Sequence, residues 1–263
     1  MSRHAIDMMA RGLTSLPDSL RGMASVRVLN VGDNPLQRVP EWIGDLTTLR
    51  ELYLHNAGLR ELPESIGRLV ALETLDLGHN QIEVLPDSFA NLAGLRRFLY
   101  LSDNRFATFP EQLRPLTRVA YLGLTHNRIA VVPEWLGELR GLRELRLYDN
   151  GIATLPAGIG DLSALRELHL MNNPLSSLPD EIGGLRALTH LDLRNGRLAE
   201  LPDTVAGLKS LTFLDLRANR LRTLPNGIRD LPNLMKLDLR WNKSLDLPDW
   251  IGELEARECQ VYY

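Results

Sequence analysis

Apolar residues return along this chain at a spacing of 23 residues. Each unit reads Leu-x-x-Leu-x-Leu-x-x-Asn-x-Leu-x-x-Leu-Pro, as residues 72–86 show. The prolines that close the units stand at positions 17, 40, 63, 86, 110, 133, 156, 179, 202, 225 and 248, so every interval is 23 except the 24 between Pro86 and Pro110. This regularity predicts one stack of eleven similar units rather than a set of unrelated domains.

Each unit is predicted to contain one short strand and one short helical turn. The alternation in Leu-x-Leu buries one face of the strand, and successive strands align in parallel because the rest of the unit forms the crossover. Proline presets φ, so the Leu-Pro step is expected to place proline at the first position of the helix. A unit this small buries its apolar stripe only by stacking against its neighbours.

An asparagine follows the strand in eight of the eleven units, at positions 34, 80, 104, 127, 150, 173, 219 and 242. A buried amide both donates to and accepts from backbone groups that a bending chain leaves unpaired. We therefore expect a column of buried asparagines. Arg11, Ala57 and Gly196 depart from it.

Repeat phrases such as Leu-Pro-Glu-Ser-Ile-Gly-Arg-Leu (62–69) and Leu-Pro-Asp-Glu-Ile-Gly-Gly-Leu (178–185) resemble those of intracellular Ras-group leucine-rich-repeat proteins of eukaryotes and related bacterial proteins. The resemblance covers nearly all of the chain. It implies an α/β fold: a right-handed solenoid, or horseshoe, with a parallel concave sheet and short helices or 3-10 turns on the convex side. One domain is expected over 1–263, with a capping strand at 255–263. The resemblance also implies a protein-binding scaffold, which larger relatives often attach to kinase, GTPase or ligase domains; none remains outside the repeats here.

Charge and cysteine content narrow the classes of partner and compartment. The net charge of -3 shows no preference for nucleic acid or anionic membrane. No apolar run is long enough for a membrane span or a secretory signal. The single cysteine, Cys259, excludes an internal disulfide and favours a reducing compartment. A cytoplasmic protein is expected, with a secreted bacterial effector as the alternative, and Cys259 is expected to be a buried cap residue.

The repeat is irregular at one internal site and at both ends. One extra residue near Phe98 or Leu99 predicts a bulge or a widened turn that could re-aim Tyr100, and which of the two side chains points inward stays open. The first unit offers only Ile6 and Met8 for its strand. At the other end, Cys259 and Val261 are expected to form the last inward-facing pair.

The third, fifth, seventh and eighth residues of Leu-x-x-Leu-x-Leu-x-x-Asn escape the core and are expected on the inner side. Five of the six histidines and four of the six tyrosines occupy these positions. Strand preference accounts for the tyrosines but not the histidines, and Tyr, Trp, Met and Arg concentrate binding energy at interfaces. The predicted partner-binding residues are Tyr53, His55, His79, Tyr100, Tyr121, His126, Arg146, Tyr148, His169, Met171, Arg194, Arg217, Arg240 and Trp241.

The phrase Leu-Asp-Leu-Arg recurs at 191–194, 214–217 and 237–240, which aligns three aspartates in one column and three arginines in the next. One interpretation is a self-satisfied lattice of exposed charges that adds little stability. The other is a polar docking patch with Trp241 at its edge.

No glycine-rich phosphate loop, metal motif or nucleophile elbow is present, so we expect neither an enzyme nor a cofactor. A metal site is not expected either, because the histidines differ in register and no acidic or cysteine partner completes an obvious tetrahedral set. The histidines also raise the hypothesis of pH-dependent binding. The predicted function is a non-catalytic scaffold that binds a protein on its concave face. Its alternatives are a structural module that forms a weak homodimer through the solenoid ends, and a bacterial effector or inhibitor domain acting on a host protein.

Overall fold

The computed structural model describes residues 4–263 and divides the chain into two compact units. The first ends at Arg128 and the second runs from Ile129 to Tyr263. In each unit, parallel strands of three residues alternate along the chain with short helices, most of them 3-10 helices. The strand-and-turn content of every predicted repeat is therefore confirmed.

The first unit contains six strands, each hydrogen bonded in parallel to the next one in the chain. They are β1 (Ala5–Asp7), β2 (Val28–Asn30), β3 (Glu51–Tyr53), β4 (Thr74–Asp76), β5 (Phe98–Tyr100) and β6 (Tyr121–Gly123). The 3-10 helices between them are Asp18–Leu20, Glu41–Asp45, Glu64–Arg68, Asp87–Asn91 and Glu111–Leu113.

The second unit follows the same plan with six more parallel strands in chain order. They are β7 (Glu144–Arg146), β8 (Glu167–His169), β9 (His190–Asp192), β10 (Phe213–Asp215), β11 (Lys236–Asp238) and β12 (Gln260–Tyr262). Its 3-10 helices are Glu134–Glu138, Ala157–Asp161, Asp180–Gly184, Asp203–Gly207 and Asn226–Ile228, and an α-helix, α1, covers Ile251–Ala256.

The prolines lie one residue earlier than the sequence suggested. Pro63, for example, precedes the helix Glu64–Arg68 and has extended angles, with φ -70° and ψ 150°. The ring still presets φ, but the acidic residue after it opens the helix, where a negative charge meets the free N–H groups. Gly67 lets successive helices pack closely, since a Cβ there would lie 2.3 Å from the carbonyl oxygen of Ser88.

The asparagine column is confirmed as buried at six of its eight positions, and Asn127 and Asn150 are half-buried. The side-chain oxygen of Asn80 accepts the N–H groups of Ala57 at 3.1 Å and Leu59 at 3.0 Å. Its side-chain nitrogen donates to the carbonyls of Leu54 and Leu77, both at 2.9 Å. One buried amide thus joins two successive turns whose backbone groups would otherwise lie buried without partners.

The extra residue of the fifth repeat lies before the strand and leaves the strand itself regular. Leu99 is fully buried, and Phe98 points outward with 38% of its surface exposed. The N–H groups of Arg96 and Arg97 both donate to the carbonyl of Glu73, at 3.4 and 3.0 Å. The insertion is therefore a widened turn at these two arginines, which is one of the two predicted forms, and the expectation that it re-aims Tyr100 is wrong. Tyr100 keeps its register with Asp76 on β4.

The end of the second unit is closed by α1 and β12. Cys259 is buried, as expected, and burial raises the pKa of its thiol. Val261 is half-buried and pairs in register with Leu237. Among residues 4–263, no helix has the length and apolar character needed to cross a membrane.

Candidate partner-binding surface

The third, fifth, seventh and eighth positions of the repeats form what we call the strand face. All fourteen predicted partner-binding residues lie on it and are half-buried or exposed. The first unit carries six of them (Tyr53, His55, His79, Tyr100, Tyr121 and His126). The second unit carries eight (Arg146, Tyr148, His169, Met171, Arg194, Arg217, Arg240 and Trp241).

Three aromatic rings lie together on the strand face of the first unit, and we call Phe98, Tyr100 and Tyr121 the aromatic cluster. The ring centroids of Tyr100 and Tyr121 are 4.7 Å apart. Phe98 lies 5.9 Å from Tyr100 and 5.7 Å from Tyr121. These separations are typical of favourable aromatic pairs. Phe98 was missed by sequence reasoning, because its orientation depends on where the chain accommodates the extra residue.

Two residues next to the aromatic cluster contact its rings: Gly123 leaves room for Tyr121, and Arg97 lies beside Phe98. Tyr121 leans over Gly123, where a Cβ would lie 3.1 Å from the tyrosine hydroxyl. Arg97, one of the two residues at the widened turn, lies 5.9 Å from the centre of the Phe98 ring and pairs with Glu51 at 3.0 Å. The insertion therefore supplies a cation that flanks the cluster.

Tyr53 forms a polar contact next to this region. Its hydroxyl donates to Glu51 at 2.9 Å. Burial, together with the hydrogen bond to Glu51 and its negative charge, raises the pKa of Tyr53 to about 12. The phenol therefore stays protonated and acts as a donor across the physiological range.

The imidazole of His55 lies between two aspartates from the neighbouring repeats. The two ring nitrogens of His55 lie 3.7 Å from Asp33 and 3.3 Å from Asp76. This ring packs over Gly32, where a Cβ would lie 2.3 Å from a ring carbon. Glycine at position 32 thus makes room for the imidazole.

His79 and His126 have a conformational reason to occupy their positions. Both stand at the eighth position, where all eleven residues have positive φ and eight are Asn, Asp or His. These residue types tolerate the left-handed region better than others. Asp103, from the repeat between them, lies 3.6 Å from His79 and 3.5 Å from His126. The expectation that only binding accounts for the histidines is therefore corrected at these two sites.

A histidine and two glutamates meet on the strand face of the second unit. One ligand atom each from Glu144, Glu167 and His169 lies within 4.8 Å of the other two. The structure thus brings acidic partners to His169, which the sequence register did not reveal. Arg146 pairs with Glu144 at 2.5 Å, and His169 contacts Glu167 at 3.1 Å. The two carboxylates therefore already have basic neighbours.

The aspartates of the two columns are buried and the arginines are half-buried, so the charges pair with one another as one interpretation predicted, but the lattice is not an exposed one. Asp215 and Asp238 are each 1% exposed. Arg217 holds Asp215 through two nitrogens, at 2.5 Å from Nη2 and 2.9 Å from Nε, and its Nε lies 3.5 Å from Asp238. Arg240 holds Asp238 in the same way, at 2.6 and 2.9 Å. Forked contacts of this kind fix the geometry of the strand face.

The two ends of the aspartate column differ in charge balance. Burial raises the pKa of Asp192, and Arg194 compensates poorly because its Nη2 lies 2.7 Å from the sulfur of Met171. Burial acts in the same direction on Asp238, but hydrogen bonds from Arg240 and the charge of Arg217 outweigh it, so the pKa of Asp238 is lowered.

Aromatic and basic side chains continue the strand face beyond the aspartates. The guanidinium of Arg240 lies 5.7 Å from the ring of Trp241 and 5.2 Å from that of Tyr262. Lys236 lies 5.1 Å from the ring of Phe213. Sequence reasoning missed Phe213, Lys236 and Tyr262 as surface residues, although strand alternation places the first two at third positions.

The chain belongs to the leucine-rich-repeat family. A family model described as a leucine-rich repeat region matches residues 5–147 and 157–257. The parallel strands and outer 3-10 helices of both units are those of a leucine-rich-repeat solenoid, as predicted. Comparison with curated protein sequences returned no match.

Solved leucine-rich-repeat structures resemble this chain over most of its length. A leucine-rich-repeat protein of Leptospira interrogans is 25% identical, covers 98% of this chain and 95% of its own, and gives a TM-score of 0.58. The ectodomain of the Arabidopsis thaliana receptor kinase GASSHO1/SCHENGEN3, in complex with Casparian Strip Integrity Factor 2, is 27% identical, with a TM-score of 0.78 and 93% of this chain covered. The plant peptide hormone receptor RGFR1, in complex with RGF2, is 28% identical over 89% of this chain, with a TM-score of 0.68. This chain spans only 30% and 45% of those two receptor chains.

Proposed function

We propose that this protein is a non-catalytic scaffold that binds a partner protein, and that the aromatic cluster of the first unit is the centre of the contact. The observation that carries the proposal is Phe98, a large apolar side chain that is 38% exposed beside two tyrosines on the strand face. A ring at this position contributes nothing to the leucine core. Its exposure is offset when a partner covers it.

The composition of the strand face supports a protein partner. Aromatic rings provide large contact areas at the centre of interfaces, and charged groups form the rim. Here Arg97 and Glu51 flank the aromatic cluster, and their ion pair is about half exposed on the arginine side. Two of the similar leucine-rich-repeat structures are described as complexes, one with Casparian Strip Integrity Factor 2 and one with RGF2. We extend the binding role, but neither of these partners, to the present chain.

The experiment compares the full chain with a variant that carries Phe98→Ser and Tyr121→Ser. Both proteins serve as bait in extracts of the source cells, and captured proteins are then purified and titrated against each bait. We expect the double variant to weaken binding at least about tenfold, because central aromatic residues dominate interface energies.

The matched control is Val84→Ser with Val131→Ser, which removes two apolar side chains that are 69% and 73% exposed off the strand face. It should bind like the unchanged protein. Equal capture by the aromatic variant and the control would refute a contact at the aromatic cluster. A mass by light scattering that rises with concentration, and that is lost in the aromatic variant, would assign the cluster to self-association instead.

A further inference from the structure

A cavity of about 580 Å³ opens beside the strand face of the second unit. Its lining includes Gly196, Ala218, Arg220, Trp241 and Lys243. These residues belong to three successive repeats, mostly at or after the asparagine turn. The volume is within the range of small-ligand sites, about 300–1,000 Å³.

The cavity is lined by small residues at two repeat positions where most repeats have larger ones. A ladder of side-chain hydrogen bonds runs along the eighth position, from Asn172 to Asp149 at 2.9 Å and from Asn195 to Asn172 at 2.7 Å. It ends at Ala218, whose side chain has no hydrogen-bonding group. Gly196 stands where eight of the eleven repeats have asparagine. A side chain there would clash with Asn219, whose side-chain oxygen lies 2.6 Å from the position of a Cβ.

The last turn of the second unit is also wider than its counterparts. In two earlier steps of this unit the third residue after the asparagine position donates to the third residue after that position in the preceding repeat, as the N–H of Ser176 does to the carbonyl of Ala153 at 3.0 Å. Here Asp246, the fourth residue after Asn242, donates to Arg222 at 2.9 Å. This shift of the donor by one residue, at an unchanged repeat length, leaves Lys243 and Ser244 in a looser turn that lines the cavity.

The charges around the cavity are uncompensated. Its lining includes Arg220, Arg222 and Lys243 but no Asp or Glu. In the first unit, Arg105 stands at the repeat position of Lys243, and it pairs with Glu83 at 4.0 Å. In the second unit, the position that corresponds to Glu83 holds Arg222, beside Lys243. Within the described part of the chain, none of the three cations of the cavity forms an ion pair.

Trp241 provides a flat apolar wall. It is 66% exposed, and it adopts a positive φ of 66°, which side chains other than Asn, Asp and His rarely adopt. Eight of the eleven residues at this position are Asn, Asp or His. A tryptophan here therefore combines backbone strain with exposure of a large ring, and such combinations gather at ligand sites.

We propose that this cavity binds a small phosphorylated ligand with a planar ring, of the nucleoside monophosphate class. Arg220, Arg222 and Lys243 hold the phosphate, and the hydroxyl of Ser244 lies among the donors that line the cavity. Arginine forks and a lysine ammonium suit phosphate oxygens. The ring of the ligand stacks on Trp241, as nucleobases do on exposed aromatic side chains.

The test titrates the full chain with adenosine monophosphate and, separately, with inorganic phosphate, by calorimetry at low ionic strength. Adenosine monophosphate should bind more tightly than phosphate. Arg222→Gln with Lys243→Gln should weaken both at least about tenfold, since the two substitutions remove charged donors to the phosphate oxygens. Trp241→Asn, which restores a usual residue of its position, should reduce the affinity for adenosine monophosphate to that for phosphate.

Two further variants make the outcome decisive. Ala218→Asn extends the asparagine ladder into the cavity without changing charge, and it should weaken adenosine monophosphate binding. Arg118→Gln with Arg128→Gln removes two exposed charges from the first unit and should leave binding unchanged. Absence of binding at millimolar ligand, or equal losses in this control and in the cavity variants, would overturn the proposal. Unchanged adenosine monophosphate affinity in Trp241→Asn would overturn the assignment of a ring.

Discussion

The strand face of the first unit has an aromatic ring at a repeat position where that of the second unit has a buried carboxylate. At the fifth position, the first unit has Tyr100, which is half-buried and belongs to the aromatic cluster. The second unit has Asp215, which is 1% exposed and held by Arg217. The backbone is alike in both, because each residue lies at the end of a three-residue parallel strand.

The contrast separates residues that stabilise the fold from residues available for binding. A buried carboxylate is tolerable only while its partner stays in place, so the aspartate column stabilises the second unit as long as its arginines hold it. An exposed aromatic ring contributes little that the unit requires for folding. The arginines of the second unit, which the sequence marked as binding residues, are therefore engaged within the unit, whereas the rings of the first unit remain presented to solvent.

The largest expected effect comes from breaking the buried pair. Asp215→Ala should lower the free energy of unfolding by about 3 kcal/mol, because it leaves Arg217 without its main partner in a confined site. Phe98→Ser should lower it by only about 1 kcal/mol, because it removes two aromatic contacts but no packing of the leucine core. Urea titration followed by circular dichroism measures both.

A matched control for this prediction is Asp76→Ala, at the fifth position of the first unit. Asp76 is 21% exposed, accepts the N–H of Gly78 at 2.9 Å and lies 3.3 Å from His55. Its loss should cost less than the loss of Asp215. Equal costs for the two aspartates, or a larger cost for Phe98→Ser, would contradict the division of roles between the units.

A smaller effect should distinguish the two ends of the aspartate column. Asp238→Asn should lower the free energy of unfolding at pH 7 by roughly 1–3 kcal/mol, because Arg240 and Arg217 lose a charged partner. Asp192→Asn should leave it unchanged or slightly higher, because burial outweighs Arg194 and penalises the charged form.

The stability difference between each variant and the unchanged protein should change with pH in opposite directions for the two aspartates. The pKa of Asp238 is lowered in the folded state, so its stabilisation is present above the unfolded value near 3.8 and is lost as pH falls through the folded pKa. The pKa of Asp192 is raised, so acidification relieves its penalty as pH falls through the folded pKa towards 3.8. Unfolding curves between pH 2.5 and 7 check this, and parallel curves for the two variants would be incompatible with it.

The frame of the repeat could be predicted almost completely from the sequence. The 23-residue period predicts the asparagine column, the strand register and the inward leucines. It can do so because local alternation and stacking of the repeats favour the same arrangement. Cys259 was predictable for the same reason, because it lies just before the last strand and two residues from Val261, which pairs in register with Leu237.

Features that depend on departures from the repeat could not be predicted. The orientation of Phe98 depends on whether the chain accommodates its extra residue inside the strand or at Arg96–Arg97, and the leucine pattern is compatible with both. The burial of Asp215 depends on how closely Arg217 covers it, which spacing does not specify. The cavity at Ala218 is formed by small residues and a wider turn in adjacent repeats. The sequence of one repeat therefore does not predict it.

The smallest expected effect concerns a polar contact on the strand face of the first unit. The pKa of Tyr53 is raised to about 12 from 10.0, so the protonated phenol adds stability that is fully present below pH 10 and is lost as pH rises towards 12. Tyr53→Phe should remove this part of the alkaline loss, and Glu51→Gln should reduce it by removing the charge that opposes ionisation. Thermal unfolding at pH 9 to 11.5 measures the difference between each variant and the unchanged protein. If all three proteins lose stability in parallel, the hydroxyl of Tyr53 is not coupled to Glu51, and burial of the phenol alone does not determine the alkaline loss.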